Sequence, residues 1–566
     1  MVNLGMDFGS TYTIVSIFRE DTQMLEAIVL NQGLPFVPSV VALDNGQYEY
    51  GRAAKSRTGK KGVAVYKAFK MLLTETDKEK LRERGFDEAH TPEKIARIFI
   101  ENVLRQILKD LQEDRIGKLV VGVPEIWNEG FGTVDGRTII RNICRSLEFV
   151  DKVQVVSEPA AASAFFAHNF YLSTKENFEG RILLVDYGGG TLDITLTDVI
   201  TVGDEEKNSV EIKVLERTGA GENEDRELGK AGIVYMENVM AQAILQAGAA
   251  QSREELLSDG KFYKAVDGLE QELQDRTEKI QDVFEEYGLD DPAELHRERF
   301  TILEYRGEDV EISYGLLLDV YDEIIRPVFA QQLDKMTNFM DEAGIPYMDR
   351  DQDIFKIALV GGFGNFYLVK KQLEDRFKFN VYDKRREHII RNRADCEKAI
   401  SLGAALLAAD VIGIRNTASY SIGVWAYDGN GKVCPNYAIR YKQDIAFNEV
   451  YYARGSRDNE IFVIQAISGG FDKFLVNFGH DDRTACFALA KKKFSQKLSN
   501  VVKNQYHTAV VGFSVDPSGV VSIHVHDYDI LTGTIGEEDH EVELTRFGEL
   551  FEVTKVGTMR PGGDAV

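Results

Sequence analysis

Two segments of this chain repeat one arrangement of residue types. Leu4-Gly5-Met6-Asp7-Phe8-Gly9-Ser10-Thr11-Tyr12-Thr13-Ile14 and Leu184-Val185-Asp186-Tyr187-Gly188-Gly189-Gly190-Thr191-Leu192-Asp193-Ile194 each carry an apolar run into Asp, an aromatic residue, Gly and small hydroxyl residues, and then a second apolar run. A strand that ends this way exposes consecutive backbone N–H groups, and without Cβ atoms in the way they can cradle a phosphate. Gly188-Gly189-Gly190 is the stronger cradle, and Gly9 to Tyr12 forms the other. Asp7 and Asp186 stand at the mouths of the turns, where carboxylates suit a hydrated Mg²⁺ bridging phosphate oxygens. Two facing phosphate loops with two acids make a nucleotide clamp.

Other phosphate motifs do not fit. There is no G-x-x-x-x-G-K-[ST] string, and Gly219-Ala220-Gly221 lacks the third glycine of a dinucleotide fingerprint. A single Gly-Gly-Gly run is most often a tight turn. The specificity here comes from the repeat, with acids in matching places.

The turns need elements to position them. Leu119 to Val123 is an apolar strand, and Ile95, Phe99, Ile100, Val103, Leu104 and Ile107 form one stripe of a helix over Pro92 to Leu111. Strands alternating with helices predict layered α/β halves. From Ser252 to about Leu295, charged residues recur at helical spacing, which reads as a solvated helical subdomain. After Asp410 short alternating runs take over. Val510 to Val515 and Val520 to Val525, separated by Asp516-Pro517-Ser518-Gly519, predict a hairpin. The expected organisation is a nucleotide-binding domain over residues 1–410, a linker at 411–419, a β-rich domain over 420–552 and a flexible tail at 553–566.

Composition narrows the classes. The chain has 566 residues, 44% hydrophobic and 28% charged, as expected of a globular protein of several domains. Its 92 Asp+Glu against 67 Lys+Arg leave a net charge of -25, which argues against a general nucleic-acid binder. The basic runs Lys384-Arg385-Arg386 and Lys491-Lys492-Lys493 are short and read as solvated faces. Cys144, Cys396, Cys434 and Cys486 form no C-x-x-C pair, so neither a zinc site nor a disulfide framework is expected. Without a secretory pattern at Met1 to Asp7 or a spanning apolar stretch, the expected location is the cytoplasm, with no membrane partner. His524 and His526 share a strand face and, with Asp527 or Asp529, are a weak metal candidate.

The order of four motifs carries a resemblance. Met6 to Tyr12, Val156-Ser157-Glu158-Pro159-Ala160-Ala161-Ala162, Val185 to Asp193 and Leu359-Val360-Gly361-Gly362 are similar to the DnaK-type heat-shock 70 kDa chaperones of the actin-like ATPase superfamily. The match covers residues 1–410 well and is weaker over Ser421-Ile422-Gly423-Val424 and Phe513 to Asp527. It implies an α/β two-lobed actin-like ATPase with duplicated ribonuclease-H-like domains, followed by a mostly β, sandwich-like C-terminal domain. Gly9, Ser10, Thr11, Tyr12, Gly188, Gly189, Gly190 and Thr191 would form the phosphate loops, and Gly361 and Gly362 would pack against the adenosine. Asp7, Asp186, Thr191 and Asp193 would surround Mg²⁺, its waters and K⁺. Lys70 matches the catalytic lysine, Glu158 the glutamate that orients the attacking water, and Pro124 a proline that couples nucleotide state to domain motion. ATP and ADP are the implied ligands. Extended polypeptide, a J-domain co-chaperone and a nucleotide-exchange factor are the implied partners.

Physically the set is coherent. Phosphoryl transfer asks mainly for positioning and charge neutralisation, which Mg²⁺, Lys70 and backbone N–H groups supply. Outside these motifs, Glu158 would read as a helix cap, Lys70 as a surface lysine and Pro124 as a strand end.

The sequence also departs from the family. Phe363-Gly364-Asn365 replaces small polar residues and an arginine beside the adenine, and Leu228-Gly229-Lys230-Ala231-Gly232 lacks the family's acids. The helix opposite the adenine is expected near Asp275 to Asp282. Val411-Ile412-Gly413-Ile414-Arg415 lacks the leucine-rich linker, and no helical lid is expected. These departures keep a second reading open, a nucleotide-gated scaffold with one dedicated partner. A sugar kinase and a filament-forming actin relative are further alternatives.

Overall fold

The computed structural model describes residues 1–30, 35–75, 77–124, 136–204, 207–220, 231–257, 259–289, 292–347, 355–377, 397–417, 421–427, 433–440, 443–452, 463–464, 473–477, 484–488, 506–516, 521–539, 542–543 and 554–559. Both basic runs, the turn at 517–520 and the last seven residues of the tail lie outside them. The chain divides into two compact units. The first holds Met1–Pro124, Ile143–Val153 and Ser157–Gly413, and the second Glu125–Asn142, Gln154–Val156 and Ile414–Val566.

The first unit opens with β1 (Val2–Phe8), β2 (Tyr12–Arg19) and β3 (Met24–Ala27). Helix α1 (Pro92–Leu111) leads into β4 (Ile116–Val123), and β5 (Val150–Ser157) into α2 (Glu158–Thr174). The sheet order is β3-β2-β1-β4-β5. Helix α1 forms as the stripe predicts. Thr91 caps it by accepting from the Lys94 N–H, Pro92 fits its first turn, and Ile95, Phe99, Ile100, Val103, Leu104 and Ile107 are fully buried. At α2 the cap is Ser157, whose side chain accepts from the Ala160 N–H, so the carboxylate of Glu158 is not needed there.

The second half repeats the plan. It contains β6 (Glu179–Tyr187), β7 (Leu192–Asp204), β8 (Lys207–Ala220), α3 (Gly232–Gln246), α4 (Gly260–Asp275) and β9 (Phe355–Val360), whereas α5 (Ala399–Ala408) returns to pack on β1, β2 and α2 of the first half. β1 runs antiparallel to β2 and parallel to β4, and β6 likewise runs antiparallel to β7 and parallel to β9. Asp7 stands opposite Ile14 and Gly122, while Asp186 stands opposite Asp193 and Val360. The repeated turns therefore sit on repeated sheet positions. Each acid lies near the C-terminal end of a strand with neighbours on both sides, which fixes its backbone.

The acidic stretch from Ser252 folds as helices, as expected, with Phe262, Val266, Leu269, Ile280 and Phe284 buried in the core. Its charged side is not wholly solvated. Asp267 and Glu270 on α4 are ion-paired to Lys67 and Lys55, residues from the other half of the unit.

The second unit is mostly β among the described residues. β10 (Ser421–Tyr427) lies between Val433–Ile439 and Lys473–Asn477 in a five-stranded sheet. β11 (His507–Val515) and β12 (Val521–Asp529) form the expected hairpin, with Val515 opposite Val521. Val521, Ile523 and Val525 are buried along one face of β12, and Ser522, His524 and His526 along the other.

Candidate functional site

The site is built on the ends of β1 and β6. After β1 the chain turns through Gly9 to Thr11, and Ser39 holds that turn. Its Oγ donates to the Gly9 carbonyl at 2.7 Å and its N–H to the Thr11 carbonyl at 2.8 Å. After β6, the Gly188 N–H donates to the Thr191 carbonyl at 3.0 Å. The first residues of α3 grip this second loop from behind, since the Gly232 and Ile233 N–H groups donate to the Gly188 and Gly189 carbonyls at 3.3 and 2.7 Å.

The two loops face each other closely. A Cβ on Gly189 would lie 2.0 Å from Thr11 Oγ1, so this position must be glycine for the loops to meet. Thr11 Oγ1 is buried and has no hydrogen-bond partner among the described residues. A buried hydroxyl without a partner is costly, and a phosphate oxygen would satisfy it.

Lys70 and Glu158 close the inner end. Lys70 Nζ donates to Glu158 Oε1 at 2.8 Å, and each residue is 5% exposed. The electrostatics around them are strongly negative. Burial, then the Glu158 charge, push Asp7 up to about 7 against the pull of Lys70. Burial, then Glu158, Asp7 and Asp193, hold Asp186 well above the usual carboxylate range. Burial alone would lower Lys70, but Glu158, Asp7 and Asp186 raise it above the ordinary lysine value. One ammonium among four carboxylates leaves an excess of negative charge in a low-dielectric site. A divalent cation fits that excess. Among the described residues no three side chains form a closed metal cage, but a hydrated Mg²⁺ needs only one or two carboxylates.

Gly361 and Gly362 follow β9. Gly361 has φ +81°, and a Cβ there would lie 2.4 Å from Asp186 Oδ1, so this turn presses directly on the acid. Phe363 then turns inward and is 9% exposed, with its ring centroid 5.1 Å from Tyr187 and 5.3 Å from Tyr235. Pro124 is buried just past β4, two residues beyond the Gly122 that faces Asp7.

Sequence reasoning missed the outer rim. Lys55 Nζ is 2.5 Å from Glu270 Oε2, and Lys67 Nζ is 2.8 Å from both carboxylate oxygens of Asp267. The Tyr12 hydroxyl accepts from Gln274 Nε2 at 3.2 Å and from Lys55 Nζ at 3.4 Å. Burial, then the nearby Glu270, push Tyr12 up to about 12, so it stays protonated. Helix α4 meets the first half through Asp267, Glu270 and Gln274. That i, i+3, i+7 spacing on one helix face was the available signal.

The weak metal candidate finds other uses. His524 Nε2 lies 2.6 Å from Ser514 Oγ, His526 Nδ1 lies 3.2 Å from the Gly536 carbonyl, and Asp527 pairs with His507 at 2.6 Å. No metal-holding group of three forms there among the described residues.

The sequence has relatives among known proteins. The chain is 26% identical over 203 residues to a chaperone protein DnaK of Mycoplasmoides gallisepticum, covering 35% of this chain and 30% of that protein. It is 25% identical over 230 residues to heat shock cognate 70 kDa protein 3 of Dictyostelium discoideum, covering 35% and 34%. A heat shock 70 kDa protein of Neurospora crassa aligns over 455 residues at 22% identity, covering 74% of this chain and 59% of that protein. The chain is similar to proteins of the heat-shock 70 kDa family. It spans about a third of the length of the first two relatives, and no family model matches it. Similarity to heat-shock 70 kDa proteins implies a two-lobed actin-like fold, and the mixed sheets of the first unit accord with it.

Proposed function

We propose that this protein binds and hydrolyses ATP, and that its nucleotide state controls binding of extended polypeptide by the C-terminal β unit. The observation that carries the reading is the buried Lys70–Glu158 pair set beside Asp7 and Asp186, between two facing phosphate loops.

Asp7, Asp186 and Asp193 would hold Mg²⁺, with K⁺ a further ligand of this region. When bound, Mg²⁺ neutralises phosphate charge. The protein's own groups do the rest. Lys70 places positive charge where the terminal phosphate arrives, and the loop N–H groups orient the phosphate chain. Glu158, held by Lys70, accepts a hydrogen bond from the attacking water and aims it. Thr191 and the Gly188 to Gly190 backbone complete the cradle, with Gly9, Ser10, Thr11 and Tyr12 facing them. The expected partners are unfolded polypeptide, a J-domain co-chaperone and a nucleotide-exchange factor, in the cytoplasm. No described helix is long and apolar enough to cross a membrane. Mg²⁺-dependent ATP turnover that is lost in Lys70→Ala supports the reading, and turnover unaffected by that change refutes it.

The altered turn at Phe363 favours a second reading, a nucleotide-gated scaffold with one dedicated partner. A peptide array separates the two. Broad binding of extended apolar peptides identifies a chaperone, whereas silence on the array together with one strong pull-down partner identifies a scaffold.

A further inference from the structure

Both phosphate loops are held from behind by their carbonyls. Those of Gly188 and Gly189 accept from the Gly232 and Ile233 N–H groups of α3, and those of Gly9 and Thr11 accept from Ser39. A trans peptide sets its C=O and N–H on opposite sides. The Gly189 and Gly190 N–H groups therefore point away from α3, and those of Ser10 and Tyr12 point away from Ser39. Three of these four ties are made by backbone N–H groups. The bond from Ser39 Oγ to Gly9 is made by a side chain, so it is the tie that a substitution can remove.

Ser39 is itself well fixed. It follows the short strand Val37–Pro38, which pairs with Tyr12 and Thr13 at the start of β2, and it is 2% exposed. Its Oγ lies 2.7 Å from the Gly9 carbonyl and 3.0 Å from Thr13 Oγ1. A hydroxyl carries a single proton and a carbonyl can only accept, so Ser39 donates to Gly9 and Thr13 donates to Ser39. Gly9 needs this external brace. A Cβ there would lie 2.1 Å from the Tyr12 carbonyl oxygen, so the position is confined to glycine, the residue whose backbone rotates most freely.

We infer that Ser39 is a positioning residue for the triphosphate chain: its hydroxyl holds the Gly9–Ser10 peptide so that the Ser10 N–H stays turned toward the phosphates. The inference rests on the nucleotide reading above and deepens it. Without that hydroxyl the peptide can rotate, and the loop must be ordered again each time a ligand binds. Ground-state binding then weakens. The Lys70–Glu158 pair does not depend on Ser39, so nucleotide that has bound reacts as before.

The test is Mg²⁺-dependent binding of ATP and of inorganic tripolyphosphate to the full-length protein by calorimetry, with steady-state turnover and melting measured alongside. Ser39→Ala should weaken both probes and raise the KM for ATP by about tenfold, with kcat kept within about threefold. Thr13→Val is the control, since both substitutions break the pair of hydroxyls but only Ser39→Ala releases the Gly9 carbonyl. It should bind both probes within about threefold of the unaltered chain. A lower melting temperature with KM unchanged makes Ser39 a structural residue only and overturns the inference, as does equal weakening in the two variants. In either case, ATP binding by the unaltered chain leaves the nucleotide reading standing. If the unaltered chain binds neither probe, that reading falls and the inference falls with it.

Discussion

Lys70 and Glu158 form a 2.8 Å ion pair in which both partners are almost wholly removed from solvent. Breaking a buried pair by removing one partner costs about 3–5 kcal/mol, because the remaining charge is stranded. Lys70→Ala should therefore lower both thermal stability and turnover, the latter by about 10²- to 10³-fold. Replacing both, as Lys70→Met with Glu158→Leu, should recover much of the stability and none of the turnover. A double-mutant cycle read by calorimetric melting and phosphate release separates the two effects. Recovery of turnover in the double variant would refute the catalytic assignment.

Glu270 holds Lys55, and through it the Tyr12 ring, whose centroid is 5.5 Å from Lys55 Nζ. The Glu270 side chain is 11% exposed, so the pair is better shielded than a surface bridge. Truncating one partner of a shielded charge pair acts chiefly on dissociation. Glu270→Ala should speed nucleotide release by about tenfold while changing hydrolysis of bound nucleotide little. Stopped-flow release of a fluorescent nucleotide measures the first, and single-turnover hydrolysis the second.

Neighbouring glycines should respond differently. A Cβ on Gly189 would meet Thr11 Oγ1 at 2.0 Å, on a short side chain fixed in the opposite loop. A Cβ on Gly190 would meet Met71 Sδ at 2.1 Å, near the end of a flexible side chain that can swing aside. Gly189→Ala should abolish measurable nucleotide binding, and Gly190→Ala should retain it within about tenfold. Equal losses in titrations of the two variants would contradict the facing-loop geometry.

Glu237 on α3 is buried, and its carboxyl is raised by that burial despite Arg84, Arg253 and Lys67 nearby. Its folded pKa is therefore above its unfolded value near 4.5. The folded chain favours the protonated acid, so this group supports stability below pH 4.5 and loses that support as pH rises through its folded pKa. Glu237→Gln, a neutral group of the same shape, should melt about 2 °C higher at pH 7.5. The gap should close as pH falls toward 4.5. A gap that widens on acidification would reverse the sign assigned to burial.

The paired turns at Asp7 and Asp186, the stripe of α1 and the hairpin of β11 and β12 were all legible in the sequence. Their signals are local: a glycine turn, a 3.6-residue period and a cap declare themselves within about twenty residues. Motif order also put Lys70 and Glu158 in one proposed site, and the fold brings them together as an ion pair. The rim was not legible. Lys55 and Lys67 look like solvent-facing lysines, and Asp267 and Glu270 like the outer face of an acidic helix. Only the packing of α4 against the first half makes them partners, more than 190 residues apart. The inward turn of Phe363 was equally hidden, since a phenylalanine after two glycines could line the cleft or leave it. The surrounding Tyr187, Tyr235 and Phe366 decide which. The sequence by itself determined the two turns on which the proposed phosphate chemistry rests, because each depends on residue types held within one turn. Tertiary structure decided what closes over that chemistry, because an ion pair or an aromatic cluster exists only once distant elements have paid the entropy of meeting.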